Sequence, residues 1–314
     1  MYINSLAYYV PELVVPNSYF KDVNGLDDSW IEERTGIKER RKAAPEENTN
    51  TMALEAVKRA LVNLPYPQEE SNLIVGATYS PYDTVGTLAH VTQKYLGVDD
   101  IPAVSVSSAC SSFLNAMEIV EGYFAMGKAT KALVVVSEHN TKFSNETDTK
   151  AGHLWGDGSA AFFVSKERQT DKDFEVLEII TGGAATTGKG PEGVTLRPRD
   201  GGIEMLFGKD VFINACQYMT RVTKTIVEKN NFDVADITYF IPHQANNRIT
   251  ENVAKQLNLT KKQALTNIQY LGNTGCAGSG IALAENQDKY QKDDLVVVTV
   301  FGGGYSFGSM LIKC

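Results

Sequence analysis

Cysteine is scarce in this chain. Four residues, Cys110, Cys216, Cys276 and Cys314, are scattered over 314 positions and do not read as a disulfide framework. That usage fits a reduced compartment, so we expect a cytoplasmic protein. Long apolar runs are also missing. The longest, such as Ala132–Val136 and Leu295–Val298, fall far short of a bilayer span, and no membrane association is expected. The opening MYINSLAYYV has no charged segment followed by an extended apolar one, so we expect no secretory leader. Positive charge is in deficit: 30 Lys and Arg face 38 Asp and Glu, for a net charge of −8. Nucleic-acid binding needs a strongly positive field and is not expected, although a local basic patch for an acidic partner is compatible with this balance. The glycine-rich segment at 272–280 carries neither a Gly-Lys-Ser/Thr ending nor a G-x-G-x-x-G spacing, which argues against a phosphate loop.

What is present describes an ordinary globular chain, 43% hydrophobic and 22% charged. Strand-like and helix-like runs alternate throughout, which implies an α/β fold with a mostly parallel sheet. In the first half, strands are expected at Asn72–Ala77, Ala103–Val106, Ala132–Ser137 and Ala160–Ser165, with helices at Thr51–Asn63, Thr87–Leu96 and Ser112–Met126. In the second half, strands are expected at Ile237–Ile241, Ala264–Ile268, Leu295–Val300 and Ser309–Lys313, with helices at Val211–Asn230, Asn247–Leu257 and Ile281–Tyr290. The same order occurs twice. The first three strand starts are spaced 31 and 29 residues apart in one half, 27 and 31 in the other. We therefore expect a duplication, with halves at 1–170 and 171–314. The segment Glu167–Gly208, rich in Gly, Pro and charge, reads as a link and a flap.

Open α/β sheets place ligands beyond the carboxyl ends of their strands. Four such ends carry chemically apt residues. Cys110 lies in Val104-Ser-Val-Ser-Ser-Ala-Cys-Ser-Ser-Phe113, between a strand and an apolar helix. A thiol there gains from the helix dipole and free N–H groups, which should lower its pKa. His243 follows a proline in Phe240-Ile-Pro-His-Gln-Ala-Asn246, and Asn273 sits in Leu271-Gly-Asn-Thr-Gly-Cys-Ala-Gly-Ser-Gly280. Gly302-Gly-Gly304 allows backbone N–H groups to approach a ligand closely.

These segments resemble the β-ketoacyl-acyl-carrier-protein synthase III family over essentially the full chain. Six motifs in order carry the likeness: Asp28-Ser-Trp-Ile-Glu-Glu-Arg-Thr-Gly-Ile-Lys-Glu-Arg-Arg41, the Cys110 segment, Trp155-Gly-Asp-Gly158, Pro242-His-Gln-Ala-Asn246, Gly272-Asn-Thr274 and Phe301-Gly-Gly-Gly304. The resemblance implies a thiolase-like fold of layered α-β-α-β-α architecture, a homodimer, and no metal or redox cofactor. It implies that Cys110 takes an acyl group from acyl-CoA, with the N–H groups of Cys110 and Gly303 as oxyanion hole. His243 and Asn273 would then drive decarboxylation of malonyl-acyl-carrier protein, and a β-ketoacyl product would initiate fatty-acid synthesis. By the same resemblance, Trp30 and Arg34 would hold the adenine end of CoA and Asn246 the pantetheine arm. Arg248 and Lys255 would dock the acidic acyl carrier protein.

The chain departs from the family in several places. Thr149, with Lys150 beside it, stands where many members carry an arginine against the CoA nucleotide. Ile213 replaces a docking lysine. Tyr305-Ser-Phe-Gly308 replaces Phe-Thr-Trp-Gly, and Thr274-Gly-Cys-Ala-Gly-Ser279 is unusually rich in glycine. Val85 aligns with a phenylalanine of acetyl-specific members, on a loop (Tyr79–Thr87) that in the family crosses the dimer interface to close the partner's acyl pocket. A longer or branched primer is therefore expected. The departures leave two alternatives open: a related condensing enzyme of secondary metabolism, making alkylresorcinol- or quinolone-type products, and an inactive partner subunit of the same fold. A thiolase is disfavoured because no second cysteine lies at Gly302–Gly304. A hydroxymethylglutaryl-CoA synthase is disfavoured because the Tyr79–Gly86 loop has no glutamate.

Overall fold

The computed structural model describes the whole chain, Met1–Cys314. One nine-stranded mixed sheet runs through it. From edge to edge its strands are Tyr239–Pro242, Leu295–Gly302, Ser306–Lys313, Phe174–Gly183, Tyr2–Tyr9, Asp157–Ser165, Lys131–His139, Ile74–Ala77 and Ala103–Val106. The order repeats about the middle. Ala103–Val106 and Lys131–His139 flank Ile74–Ala77 in parallel, and Asp157–Ser165 and Tyr2–Tyr9 follow antiparallel. In the other half, Tyr239–Pro242 pairs parallel with Leu295–Gly302, then Ser306–Lys313 and Phe174–Gly183 follow antiparallel. The two sets meet through a short antiparallel contact, Tyr2 with Glu175 and Ile3 with Phe174.

Alternation along the strands sorts side chains into layers. Val134 and Val136 face one way, with Phe113, Met117 and Ile281 of the central helices Ser112–Ala125 and Ala277–Glu285. Leu133 and Val135 face the other way, toward Ala53, Val57 and Leu88 of the outer helices Thr49–Leu61 and Leu88–Leu96. In the second half, Val297, Phe301 and Leu311 meet Met219, Ile226 and Val253 of Gly208–Lys229 and Asn247–Gln256. Val296, Val298 and Met310 of the second half share the core of Val134 and Val136, so the two halves of the sheet enclose the central helices and the layers run helix, half-sheet, helix, half-sheet, helix. Each large apolar side chain fully withdrawn from water contributes roughly 1.5–3 kcal/mol. Of the two central helices Ala277–Glu285 is the more deeply enclosed: every residue from Ala277 to Ala284 is buried.

Several expectations need correction. Ala264–Ile268 is not a strand. Ala264 makes a single parallel bridge to Phe240. The Leu265 N–H reaches the Phe240 carbonyl at 2.9 Å, but the N–H groups of Asn267 and Ile268 are taken by the side-chain Oε1 of Gln244 at 3.0 and 3.3 Å, so the ladder stops. The chain then forms the short helix Ile268–Leu271. The segment 167–208 is only partly a link, because it contains the ten-residue strand Phe174–Gly183. Tyr2–Tyr9 is a second strand not anticipated, and these two fill the middle of the sheet. The last helix starts at Ala277, directly after Cys276, and ends at Glu285.

Candidate active site

Both central helices begin at the same place. Cys110 precedes the helix Ser112–Ala125, and Asn273 to Cys276 precede Ala277–Glu285. The turn before Cys110 is tight: Ala109 adopts φ 48°, a left-handed conformation that few residues other than glycine take. Such strain persists only where the surroundings fix it. Here Ser112 Oγ accepts from the Ser108 N–H at 2.8 Å, and Ser111 and Ser112 Oγ donate to the carbonyls of Ser108 and Ala109 at 2.8 and 2.6 Å. The serines around the cysteine therefore hold a bend that turns its side chain away from the sheet edge.

Gly302 ends the strand Leu295–Gly302 directly against this bend. A Cβ added there would lie 2.6 Å from the Cys110 backbone nitrogen and 2.8 Å from its Cβ, so only glycine allows the approach. Ser306 Oγ donates to the Ser108 carbonyl at 2.9 Å and ties the following strand to the same turn. The N–H groups of Cys110 and Gly303 favour the ionised form of the thiol.

His243 follows the strand Tyr239–Pro242, with its N–H on the Thr299 carbonyl at 2.8 Å. Its Nδ1 is buried without a hydrogen-bond partner. Burial pushes the imidazole down to about 4, so at neutral pH it carries one N–H. An N–H at Nδ1 would be stranded, so the proton belongs on Nε2 and the ring offers a donor to the cavity. Asn273 is oriented by its own turn: its Oδ1 accepts from the Gly275 N–H at 3.0 Å, which leaves Nδ2 as a second donor.

Two motifs turn out to support this site from behind. Trp155-Gly-Asp-Gly158 pairs with the Asn273 loop, with the Asn273 N–H on the Leu154 carbonyl at 2.8 Å and the Gly156 N–H on the Asn273 carbonyl at 3.0 Å. A Cβ at Gly156 would sit 1.9 Å from the Leu271 carbonyl oxygen. Buried Asn140 spans both carbonyls, donating to Gly156 at 3.1 Å and Asn273 at 3.2 Å. Gln244 cross-links the His243 turn to the Asn267 turn, as described above.

Cys110, His243 and Asn273 line one narrow cavity with Gly302 and Gly303. Ten of its fourteen lining residues are hydrophobic, among them Met205, Val211 and Phe301, which suits an acyl or pantetheine chain. The three residues singled out in the sequence are thus brought together. Their electrostatics differ from expectation at one point. The thiol of Cys110 is not lowered but pushed up to about 12, by burial and then by the Glu138 carboxylate, while the N–H groups of Gly303 and Cys110 and the Tyr79 hydroxyl pull it down. Desolvation outweighs the helix dipole at this thiol.

Glu138 was not anticipated. Fully buried at the end of Lys131–His139, it is raised to about 7 by burial, although donors converge on it. Cys276 Sγ at 2.7 Å and the Tyr79 N–H at 3.2 Å reach Oε1, and the Ser80 N–H at 3.0 Å and Thr78 Oγ1 at 3.1 Å reach Oε2. A carboxylate in an otherwise apolar strand, Ala132-Leu-Val-Val-Val-Ser-Glu138, was the signal available in the sequence.

The surface candidates also cluster. The Arg34 guanidinium lies 4.3 Å from the Trp30 ring centroid, and the Trp30 edge meets His153 at 5.6 Å. Asn246 caps the helix Asn247–Gln256, accepting from the Arg248 N–H at 2.9 Å and donating to the Arg34 carbonyl at 3.1 Å. Arg248 Nε donates to the Glu33 carbonyl at 3.0 Å, and Lys255 is exposed on the same helix. Ile249 of that helix lines the cavity of Cys110, so the cluster borders its approach. Val85 is elsewhere: it is 84% exposed on its loop and takes no part in the cavity of its own chain.

A cysteine at a helix terminus, sharing an apolar cavity with His243 and Asn273 between the two halves of the sheet, is the arrangement of a condensing acyltransferase of the thiolase fold. The comparisons narrow the class. Residues 104–183 match the family described as 3-oxoacyl-[acyl-carrier-protein] synthase III, and residues 227–314 its C-terminal part. The chain is 32% identical over 320 residues to β-ketoacyl-[acyl-carrier-protein] synthase III of Clostridium perfringens, covering 99% of this chain and 98% of that one. It is 33% identical over 319 residues to the enzyme of that name from Pasteurella multocida, with coverage of 99% and 98%. The crystal structure of 3-oxoacyl-[acyl-carrier-protein] synthase III from Aquifex aeolicus matches with a TM-score of 0.93 at 32% identity, over 100% of this chain and 99% of that one. This chain belongs to the β-ketoacyl-acyl-carrier-protein synthase III family, the condensing enzymes that initiate fatty-acid synthesis.

Proposed function

We propose that Cys110, His243 and Asn273 divide the reaction between an acyl transfer and a decarboxylative condensation. The observation that carries this reading is the shared cavity, which brings the Cys110 thiol together with the side chains of His243 and Asn273. Cys110 attacks the carbonyl of acyl-CoA. The oxygen's charge falls on the N–H groups of Cys110 and Gly303, and collapse expels CoA as its thiol, leaving a thioester on Cys110. Malonyl-acyl-carrier protein then presents its thioester carbonyl to His243 Nε2 and Asn273 Nδ2. Loss of CO2 moves the bonding pair onto that carbonyl oxygen, where the two donors hold it. The enolate carbon attacks the acyl-Cys110 carbonyl, and the sulfur leaves with the β-ketoacyl product free on the carrier. The electron sink is the thioester itself, so the chemistry calls for no metal or organic cofactor.

The surface residues take roles by their chemistry. Trp30 and Arg34 offer a flat ring and a cation for the adenine end of CoA, and Asn246 borders the pantetheine approach. Arg248 and Lys255, exposed on one helix, suit an acidic carrier. No helix is long and apolar enough to cross a membrane. The four cysteines are unpaired, as suits a reducing, cytoplasmic setting. The repeated strand order supports two halves, 1–170 and 171–314. A homodimer is favoured by the sheet edge: Ala103–Val106 is only half-buried, with an unpaired side beside the nucleophile turn. Next to that edge a wide cleft lined by Ala109 and Gly303 stands open, as a wall supplied by a second copy would require.

Val85 would supply part of that wall. A valine there leaves room for a primer longer than acetyl, and each methylene newly buried is worth about 0.8 kcal/mol, or roughly three- to fourfold in preference. Formation of β-ketoacyl-carrier product from malonyl-acyl-carrier protein should therefore show a higher specificity constant with isobutyryl-, hexanoyl- or octanoyl-CoA than with acetyl-CoA. Val85→Phe should shift the profile toward acetyl. No product with any primer would refute the condensing reading; an acetyl preference, or a variant with an unchanged profile, would refute only the assignment of Val85.

A further inference from the structure

Glu138 has no role in the mechanism above, yet the core is built to receive its carboxylate. It lies near the end of the strand Lys131–His139 and is fully buried. Donors from two other parts of the chain fill both of its oxygens. Oε2 accepts from the Thr78 hydroxyl at 3.1 Å, the Ser80 N–H at 3.0 Å and the Ser80 hydroxyl. Oε1 accepts from the Tyr79 N–H at 3.2 Å and the Cys276 thiol at 2.7 Å. The two hydroxyls are themselves oriented. Ser80 Oγ accepts from the His139 N–H at 2.9 Å and Thr78 Oγ1 from the Ser80 N–H at 3.1 Å, which leaves their own protons for Glu138. Four of the five donors belong to Thr78–Ser80, so the carboxylate is held in place independently of Cys276. Taking a carboxylate out of water is costly, and its partners at best offset that cost. What this one supplies is a fixed point.

The fifth donor comes from the turn that carries Asn273. That turn, Asn273-Thr-Gly-Cys276, leads into the helix Ala277–Glu285. Its near end is pinned through main chain, with the Asn273 N–H on the Leu154 carbonyl at 2.8 Å and the Gly156 N–H on the Asn273 carbonyl at 3.0 Å. Within it, the Gly275 N–H donates to Asn273 Oδ1 at 3.0 Å and sets which way the amide faces. Cys276 follows Gly275 directly, so the place of that N–H depends on where Cys276 is held. The Cys276 thiol keeps its proton for the contact, because burial first and then Glu138 hold it well above its ordinary value.

We propose that Glu138 is a positioning residue for Asn273, acting through the Cys276 thiol: it anchors the far end of the turn and keeps Asn273 Nδ2 aimed at the malonyl thioester carbonyl. No bond or proton changes at Glu138 or Cys276 during the reaction. The role deepens the reading of Asn273 as a donor to the enolate and rests on it.

Cys276→Ala breaks the link and leaves the four other donors on Glu138, whereas Cys276→Ser keeps a proton donor at the same place. Decarboxylation of malonyl-acyl-carrier protein and single-turnover self-acylation by acyl-CoA are measured for both variants, in the parent and in an Asn273→Ala background. Misplacement by about 1 Å costs about a hundredfold, and a turn still held at its near end should move by less, so Cys276→Ala should lower kcat for decarboxylation by about tenfold. KM and self-acylation should change little, and Cys276→Ser should recover most of the loss. In the Asn273→Ala background Cys276→Ala should cost nothing further, because the group it positions is gone. Undiminished decarboxylation in Cys276→Ala would overturn the proposal. So would a Cys276→Ser variant no better than Cys276→Ala, or the same further loss in both backgrounds. A Cys276→Ala variant that fails to fold would overturn it too, because the thiol would then be a structural partner. Parental decarboxylation by Asn273→Ala alone would sink the reading of Asn273 and the positioning role with it; a normal loss there beside an unaffected Cys276→Ala sinks the positioning role only.

Discussion

Replacing His243 or Asn273 by alanine should leave acyl transfer to Cys110 nearly intact and slow malonyl decarboxylation by about a hundredfold to a thousandfold, the usual cost of one donor to a developing oxyanion. The asymmetry follows from where the two donors point. On the proposed division of roles, the oxyanion of the first step is met by the N–H groups of Cys110 and Gly303, which neither variant moves, whereas the enolate of the second step has only His243 Nε2 and Asn273 Nδ2. Neutral His243 suits this role better than a cation would. A group at about 4 donates without titrating through the physiological range, and it is poorly suited to take the proton of a thiol at about 12. Single-turnover measurement of self-acylation by acyl-CoA, set beside release of labelled CO2 from malonyl-acyl-carrier protein, separates the half-reactions. Equal losses in both would mean that His243 and Asn273 activate Cys110 instead.

Gly302→Ala should be nearly as damaging, although it alters no reacting group. The added Cβ would meet the Cys110 backbone at 2.6 Å (nitrogen) and 3.0 Å (Cα), atoms that belong to main chain on both sides and have no rotamer to yield with. Strand end and nucleophile turn must separate by a few tenths of an ångström to about one. Misplacement on that scale costs about a hundredfold in rate, and overpacking of a fitted core costs typically 1–3 kcal/mol. We expect self-acylation to fall by about that factor, with a lower melting temperature. Self-acylation within a few-fold of the parent would show that the oxyanion hole does not depend on this contact.

Part of the site was legible because Cys110, His243 and Gly303 lie just past strand ends, which can be read from local pattern; Asn273 instead follows the short helix Ile268–Leu271. Cys110, His243 and Asn273 each follow an apolar run and precede or join a helix. What escaped was whatever depends on distant partners. Tyr2–Tyr9 and Phe174–Gly183 carry polar residues on their less buried positions, and only their shared place in the middle of the sheet makes them strands. Ala264–Ile268 has strand-like composition and starts a ladder with the Leu265 N–H on the Phe240 carbonyl, but Gln244 captures the N–H groups of Asn267 and Ile268 and the ladder goes no further. The helix Ala277–Glu285 opens on Ala-Gly-Ser-Gly, a weak helix former by itself. It starts four residues earlier than periodicity implies because burial between the two sheet halves overrides propensity. The state of Cys110 was misjudged for a similar reason. A helix dipole is a local feature, whereas desolvation and the charge of Glu138 arrive from elsewhere in the chain. Tyr79 and Gly275, far apart in sequence, become legible as a pair only once they touch.

The account stands or falls on a covalent acyl group at Cys110. Intact-mass measurement after mixing with acyl-CoA should show one acyl increment per chain, located on the peptide containing Cys110 and discharged when malonyl-acyl-carrier protein is added. Cys110→Ala should gain no mass under the same conditions. An acyl increment retained by Cys110→Ala, or one located on Cys216, Cys276 or Cys314 in the parent, would contradict it.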